Sequence, residues 1–287
     1  MKSVSFVFLC VFPILLMGQN NSDKTIVTAE QVIQSIIKMT ATASIPNTVD
    51  VIKEGDPSTP VKGIATCMFA TMDVLKQAVA KGCNLIVTHE PLYYNHLDET
   101  TQLQNDPVYL EKKKYINDHQ LVVWRFHDYI HSIKPDGILS GMTDKLGWEK
   151  FAVKDNQNQF VMPQTTLSGL LENLKKTFPN NSFYVVGKPE MKLKNVWLAE
   201  GAPGSGQHIQ LLERNDADVV ITGEAQQWET YEYTRDAVAQ GRNKAVIFLG
   251  HINSEEAGMI FCADWLKTFI KDIPISFIEC GPSYWSY

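Results

Sequence analysis

The sequence predicts an α/β protein built from two α/β units. Apolar runs of strand length alternate with segments whose apolar residues recur at helical spacing, which is the pattern of sheets covered by helices. The alternation begins near Val61 and starts again after Gly147. Several apolar runs end directly in histidine or acidic residues, so the pattern that predicts the fold also indicates where to look for a site.

The first unit begins with a helix predicted at 29–39, where Val32, Ile33, Ile36 and Ile37 recur at helical spacing. A polar, proline-containing stretch follows at 45–60. The regular alternation then consists of strands at 63–70, 84–88 and 121–126, with helices at 72–80 and 109–118. This βαβαβ order predicts a parallel or mixed sheet with helices packed against it.

The second unit is predicted to contain helices at 166–177, 207–215 and 225–240, and strands at 183–187, 195–199 and 218–222. A strand at 245–249, a helix at 254–270 and a strand at 274–278 complete the chain. Polar residues gather at 154–159, so the linker between the units is expected at 148–165.

Composition and charge exclude some classes of protein. With 287 residues, 44% hydrophobic and 20% charged, the chain has the composition of a globular protein. Its formal net charge is -6 and it has no run of basic residues, so neither nucleic acid nor an anionic membrane is expected as a partner.

The N-terminus has the layout of a secretory signal peptide. Lys2 is followed by an apolar run at 4–17 and a small, polar stretch at 18–21. We therefore expect residues 1–20 to be removed and the protein to be periplasmic or secreted. A retained membrane anchor is the alternative, although the run is short for a membrane span.

The cysteines of the mature chain are scattered. Cys67, Cys83, Cys262 and Cys280 include no CxxC pair, so a zinc ribbon or a redox motif is not supported. Export would permit disulfides, whereas cysteines in apolar strand runs are commonly free. The pairing is left open.

Side chains suited to metal binding follow four of the predicted strands. Four of the seven histidines are among them, and open α/β sheets place their sites just beyond the carboxyl ends of strands. Imidazole together with carboxylate suits zinc, iron, manganese or nickel. The residues that share this position are His89, Glu90, His127, Asp128, His131, Glu224, His251 and Glu255.

Several of these residues also have an alternative role. Asn253 or Ser254 is expected to cap the helix at 254–270, which would place His251 in the turn before it and make Glu255 an acid of the first helical turn. Glu90 could be an exposed turn carboxylate.

Three more residues near the strand ends have open roles. His127 could orient a ligand rather than bind metal, and Asp128 could cap the turn after it. Glu224 is either a proton carrier or an acid that favours a helix start. The glycine-bearing segment 201–206 lacks a nucleotide-binding signature and is expected to be a tight strand-to-helix turn.

The order of these clusters resembles the NIF-three-like family, also called the GTP cyclohydrolase I type 2 homologues. The segments that carry the resemblance are 61–64, 84–91, 127–131, 146–147, 201–206, 218–224 and 250–255. The resemblance implies two α/β domains with mixed β-sheets flanked by helices, and a metal site in the cleft between the domains. It implies a first domain of residues 21–147 plus 243–287, a second domain at 148–242 inserted in it, and homo-oligomers from dimers to hexameric rings.

The resemblance also implies two divalent metal ions held by His89, Glu90, His131, His251 and Glu255. Glu90 stands where the family usually has histidine, and His131 where it usually has aspartate. The two departures compensate, because three imidazoles and two carboxylates remain. The resemblance therefore implies that Glu90→His combined with His131→Asp restores the metal binding that Glu90→His alone disturbs.

The function expected from the sequence is that of an exported, dinuclear metal-dependent hydrolase acting on a small molecule, with Glu224 or Asp128 carrying the proton. Ring opening of GTP and a non-catalytic, metal-binding scaffold remain alternatives. Six aromatic residues are candidates for a platform that stacks a ring of the substrate: Tyr93, Tyr94, Trp124, Trp228, Tyr284 and Trp285.

Overall fold

The computed structural model describes residues 27–285, and within them the predicted α/β class is confirmed. Two mixed sheets are flanked by helices. The predicted signal peptide at 1–20 lies outside the described residues. Between residues 27 and 285, no helix has both the length and the apolar character that a membrane span requires.

The helices and strands of residues 27–285 follow in chain order. The strands are β1 (Ile52–Glu54), β2 (Ile64–Cys67), β3 (Leu85–Thr88), β4 (Val122–Arg125), β5 (Ala152–Val153), β6 (Asn156–Thr166), β7 (Tyr184–Val186), β8 (Lys192–Ala199), β9 (Val219–Thr222), β10 (Ala245–Phe248) and β11 (Ile275–Phe277). The α-helices are α1 (Ala29–Met39), α2 (Met72–Ala80), α3 (Pro107–Asp118), α4 (Asp128–Ser132), α5 (Gly137–Leu146), α6 (Leu167–Thr177), α7 (Ser205–Leu212), α8 (Glu232–Ala239) and α9 (His251–Phe269). A π-helical turn, Gln227–Tyr231, precedes α8.

The first sheet has the strand order β1-β4-β3-β2-β11, with β1 antiparallel to β4 and the other neighbours parallel. Successive side chains of a strand point to opposite sides of the sheet, and both faces of the central strands are buried. Leu85 and Val87 of β3 pack in the cluster that contains residues of α1 and α9, and Ile86 packs with residues of α2 and α3. An apolar run without alternation is therefore the pattern that this sheet requires.

The second sheet has the order β5-β6-β8-β9-β10-β7. Strands β8, β9 and β10 are parallel, and β5, β6 and β7 join antiparallel. The expectation of a linker at 148–165 is wrong, because β5 and β6 form a hairpin there and its polar residues belong to a turn and a partly exposed strand. Strand β10 also pairs with β9 and β7, so the chain leaves the second sheet after residue 248 rather than before residue 243.

Helix α9 connects the two sheets, since it follows β10 of the second and leads to β11 of the first. It packs closely on α5, where a Cβ on Gly141 would lie 2.2 Å from the carbonyl oxygen of Ala257 and a Cβ on Gly258 would lie 2.5 Å from Cα of Ile138. Glycine at both positions allows the two backbones to approach each other.

The predicted start of α9 is wrong. The helix begins at His251, directly after Gly250, whose φ of +87° permits a sharp turn out of the strand. Asn253 donates its side-chain amide to the carbonyl of Leu249, and Ser254 donates its hydroxyl to the carbonyl of His251, so neither side chain caps the helix. His251 and Glu255 are consequently one helical turn apart on the same face.

Candidate metal centre

The strand ends of both sheets meet at one cleft of about 950 Å³. Glu90, His127 and His131 line it from the first sheet and the helix after β4, and Glu200 and Glu224 line it from the ends of β8 and β9. His251 and Glu255 at the start of α9 also line it. The structure thus brings six of the eight predicted strand-end residues to the cleft wall, whereas His89 is buried behind it and Asp128 does not line it.

Four donor atoms converge at the bottom of this cleft. His251 Nε2 lies 3.1 Å from Glu90 Oε1 and 3.0 Å from Glu255 Oε2, and His89 Nε2 lies 3.7 Å from Glu255 Oε2. His89 is fully buried, and Glu90 and Glu255 are nearly so. Among residues 27–285, His89 Nε2 is a buried atom without a hydrogen-bond partner, and the buried Glu255 Oε2 opposite it contacts His251. A buried ring nitrogen and a buried carboxylate oxygen that face each other without a hydrogen bond fit a shared cation.

The histidines are held by their other ring nitrogen. His89 Nδ1 lies 3.3 Å from the carbonyl oxygen of Phe126, and His251 Nδ1 lies 2.7 Å from Glu224 Oε1. His127 Nδ1 and His131 Nδ1 lie 2.9 and 2.8 Å from the carboxylates one and five residues further along the chain. In metal-binding histidines, an acceptor on one ring nitrogen fixes the tautomer and directs the other nitrogen to the ion. All four rings have this arrangement.

Three of the imidazoles form a compact group. His127 stacks on His89 with ring centroids 4.7 Å apart, and His131 stands edge-on to both at 5.2 Å from His89 and 5.1 Å from His127. One donor atom from each of the three rings can be chosen so that all lie within 4.8 Å of one another. His127 is thus close enough to serve as a ligand itself, as well as to support His89 by stacking.

The charged groups of the site shift one another's pKa values strongly. Burial alone would raise the pKa of Glu90, but its hydrogen bond with His251 and the nearby ring of His89 lower it to about 2. The pKa of Glu255 is far below its ordinary range for the same reason, despite its burial. Burial acts against the charged form of His251, yet contacts with Glu224, Glu255 and Glu90 raise its pKa to about 12.

The pKa values of the other two histidines of the cleft, His127 and His131, are shifted in opposite directions. Burial and the neighbouring His89 lower the pKa of His127 to about 4, whereas Asp136 outweighs burial and raises the pKa of His131 to about 9. A proton on the imidazole of His131 or His251 occupies a position that a metal ion would take, because the proton and the metal compete for the same ring nitrogen. Burial, reinforced by Asp136, raises the pKa of Glu200 to about 7.

Arg125 is a site residue that the sequence analysis missed. Its side chain is fully buried, and it donates from Nε to the carbonyl of His89 at 3.2 Å and from Nη2 to Glu90 Oε2 at 3.2 Å. A third bond goes to the carbonyl of His96. The guanidinium therefore fixes the turn after β3 and one oxygen of Glu90, so that Oε1 faces the cleft. A charged residue inside the apolar run 121–126 was the signal that could have identified it.

Asp50 was also missed, although it positions the whole segment after β4. Its carboxylate accepts the backbone N–H groups of His127, Asp128 and Tyr129 at 2.8–2.9 Å. Asp128 in turn uses one oxygen for His127 and the other for the hydroxyl of Thr48 and a backbone N–H. Both oxygens of Asp128 thus serve to orient its neighbours, and its predicted role as a proton carrier stays a prediction.

The glycine-bearing segment 201–206 supports the site from the second sheet. A Cβ on Gly201 would lie 2.4 Å from Glu255 Oε1, and the φ of +67° at this position favours glycine. The N–H of Gly201 donates to Ser254 Oγ, and the N–H of Glu224 donates to the carbonyl of Gly201. The segment is a turn packed against Glu255.

The remaining predictions concern aromatic residues, histidines and cysteines. In residues 27–285, Tyr94 is the member of the proposed aromatic platform that lines the cleft, while Tyr93 and Trp124 are core residues and Trp228 is largely exposed. His96 and His119 lie on the surface. The four cysteines are free thiols: Cys67, Cys83, Cys262 and Cys280.

The comparison with protein-family models decides the family. The model of the Duf34/NIF3 (NGG1p interacting factor 3) family matches residues 26–282. The chain belongs to this family. Two curated relatives bear the name GTP cyclohydrolase 1 type 2 homolog: the protein of Clostridium acetobutylicum is 28% identical over 234 residues, covering 77% of this chain and 82% of its own length, and that of Clostridium perfringens is 22% identical over 235 residues, covering 78% and 84%.

Two solved structures share the fold. A Bacillus cereus protein related to NIF3 superposes with a TM-score of 0.72 at 14% identity, covering 91% of this chain and 99% of its own. A Staphylococcus aureus protein superposes with a TM-score of 0.68 at 16% identity over the same shares. At these identities the likeness concerns the fold, and the chemistry has to be argued from the residues of this chain.

Proposed function

We propose that the protein is an exported hydrolase that binds two divalent metal ions in the cleft and acts on a small molecule. The observation that carries the proposal is the anchoring of four imidazoles by Nδ1, combined with the unpartnered, buried Nε2 of His89 opposite Glu255 Oε2. When bound, two cations in such a site lower the pKa of a water molecule and polarise a carbonyl or phosphoryl oxygen of the substrate.

The residues of the chain have separate tasks in this proposal. His89, Glu90, His251 and Glu255 hold the first cation, and His131 belongs to the second position. Glu224 holds His251 through Oε1, and its side chain is 60% exposed at the cleft wall, where its carboxylate can take up and release a proton. Tyr94 offers an exposed ring next to the cleft for an aromatic part of the substrate.

The experiment begins with the mature protein, residues 21–287, stripped by a chelator and reloaded with zinc, manganese, iron or nickel. We expect near-stoichiometric metal retention by the wild type and by His119→Ala, since His119 is exposed, and a clear loss in His89→Ala. Hydrolysis of ester, amide and phosphoester panels is then measured before and after reloading. A reloaded wild-type protein that retains no metal would contradict the proposal.

A second candidate is the ring-opening hydrolysis of GTP. It is supported by the name of the curated relatives and by a cleft of about 950 Å³, which has the size of small-molecule sites. Export argues against it, because nucleoside triphosphates are scarce outside the cytoplasm. Turnover of GTP by the reloaded protein, absent in His89→Ala, would replace our proposal by this one.

A non-catalytic role is the third candidate, since residues of both sheets line the cleft and bound metals could hold the two units together. Chelation separates it from catalysis. If the chelated protein unfolds and no substrate of the panel is turned over, the scaffold role is favoured. If the metal-free protein stays folded and regains turnover on reloading, the hydrolase is favoured.

A further inference from the structure

Glu200 occupies an unusual position for a carboxylate. It directly follows β8 of the second sheet and faces His131 of the first unit across the cleft. One donor atom each of His131, Asp136 and Glu200 can be chosen so that all lie within 4.8 Å of one another. Within residues 27–285, its carboxylate accepts a long hydrogen bond of 3.5 Å from Asn158 Nδ2, and it forms no ion pair with lysine or arginine.

The neighbouring acid, Asp136, is already committed to other groups. Its Oδ1 accepts the N–H groups of Ile138 and Leu139 at 2.8 and 3.1 Å and so caps α5, while its Oδ2 holds His131 Nδ1 at 2.8 Å. Asp136 is therefore the acid that orients His131 and leaves Nε2 of the ring for a ligand role. Of the two carboxylates beside His131, Glu200 is the one whose oxygens are available to bind a cation.

Glu255 lies between this group and the first cation position. Its Oε2 faces His89 and His251, whereas its Oε1 lies against Gly201, the residue that follows Glu200. Oε2 of Glu255 thus belongs to the first group of donors, and Oε1 is the oxygen nearer to the residue that follows Glu200. A carboxylate can bridge two cations when each of its oxygens binds one of them.

We propose that Glu200 is a ligand of the second cation, together with His131 Nε2, and that Glu255 bridges this position to the first. The inference deepens the proposed function and rests on it. Because Glu200 follows β8 and His131 belongs to α4, the second cation joins the two units of the protein.

The two positions differ in chemistry. The first combines two imidazoles with Glu90 and Glu255, while the second combines one imidazole with the carboxylates of Glu200 and Glu255. A site with more oxygen and less nitrogen shifts the preference from zinc toward oxygen-preferring ions such as Mn²⁺. We therefore expect Mn²⁺ to fill the second position more readily than Zn²⁺ does.

The test uses metal-free mature protein titrated with Mn²⁺, with free Mn²⁺ counted by electron paramagnetic resonance. The wild type should bind two equivalents and give the spectrum of a spin-coupled pair. Glu200→Gln, which keeps the side-chain shape, should retain one equivalent with the spectrum of an isolated ion and bind the second at least about tenfold more weakly. Glu172→Gln on the exposed surface of α6 is the matched control and should behave as the wild type.

Each other outcome decides against the inference. If Glu200→Gln binds two equivalents of Mn²⁺ with unchanged affinity, Glu200 is not a ligand. If the folded variant binds no Mn²⁺, Glu200 does not act on the second position alone. A wild type that binds one equivalent would remove the second position. A wild type that binds none would contradict the proposed function itself. Thermal unfolding of the metal-free variants checks that they are folded, and Glu200→Asp, which keeps the charge, should weaken the second equivalent less than Glu200→Gln.

Discussion

Removing the charge of Glu90 is expected to destabilise the metal-free protein. Glu90 is 7% exposed, and its carboxylate contacts the fully buried Arg125 through Oε2 and His251 through Oε1. The variant Glu90→Gln keeps the shape of the side chain but leaves the guanidinium of Arg125 inside the protein without an anionic partner. Breaking a buried pair in this way is far more costly than losing a surface pair.

Two considerations give the same magnitude for the loss of unfolding free energy in Glu90→Gln. The hydrogen bond with His251 and the nearby ring of His89 outweigh burial and lower the pKa of Glu90 from its ordinary 4.5 to about 2; since one unit of pKa corresponds to about 1.4 kcal/mol, these contacts of the carboxylate contribute about 3 kcal/mol. Removing one partner of a buried ion pair typically costs 3–5 kcal/mol, and Arg125 keeps two carbonyl acceptors, so the lower end, about 3 kcal/mol, applies.

The assay is urea unfolding of chelated wild type and variant at pH 7, followed by tryptophan fluorescence, because Trp124 is fully buried in β4 beside this turn. Glu111→Gln on the exposed surface of α3 is the control, with an expected change below about 0.5 kcal/mol. Because the pKa of Glu90 is lowered by folding, its contribution is complete above pH 4.5 and is lost as the pH falls toward 2. A Glu90→Gln protein as stable as the wild type would refute the reasoning and indicate that repulsion among the acids of the cleft cancels the pair.

Three further predictions concern close contacts and the exchanged ligands. Gly201→Ala is expected to lower the metal content measured by elemental analysis, because the added Cβ would lie 2.4 Å from Glu255 Oε1, and a full metal complement would contradict the contact. Gly141→Ala is expected to lower the free energy of urea unfolding by about 1–3 kcal/mol, since its Cβ would meet the backbone of α9 at 2.2 Å; an unchanged midpoint would show that the helices can separate without cost. The double variant Glu90→His and His131→Asp is expected to hold less metal than the wild type, contrary to what the family resemblance implies, and a full metal content in this variant would support the exchange that the resemblance implies.

The sequence predicted the parts of the fold that local patterns determine. Helices α1 and α2 begin and end where their apolar spacing predicts, and Thr28 and Thr71 cap them with their side chains. The central strands were predictable because a strand buried on both faces needs a continuous apolar run. The hairpin of β5 and β6 was not, since most of β6 is partly buried or exposed and its polar residues are typical of a linker.

The start of α9 was missed for a different physical reason. Asn and Ser are good caps, and the pattern placed the helix after them, but a glycine at positive φ directly after the strand lets the helix begin three residues earlier. The membership of β10 in the second sheet could not be predicted locally either. It depends on pairing with β7 and β9, which are distant in sequence, and apolar strands of this kind do not reveal their neighbours.

For the site, strand ends identified the residues that face the cleft, but not the residues that hold them. Glu90 and His131 looked like a reciprocal exchange that could be reversed, because only ligand types were compared. In the structure each has its own partner, Arg125 for Glu90 and Asp136 for His131. Placing histidine at 90 would leave a buried guanidinium without its carboxylate, and placing aspartate at 131 would set two carboxylates side by side. An exchange of ligands in this chain therefore comprises four residues, and a variant that restores the usual pair has to change Arg125 and Asp136 as well.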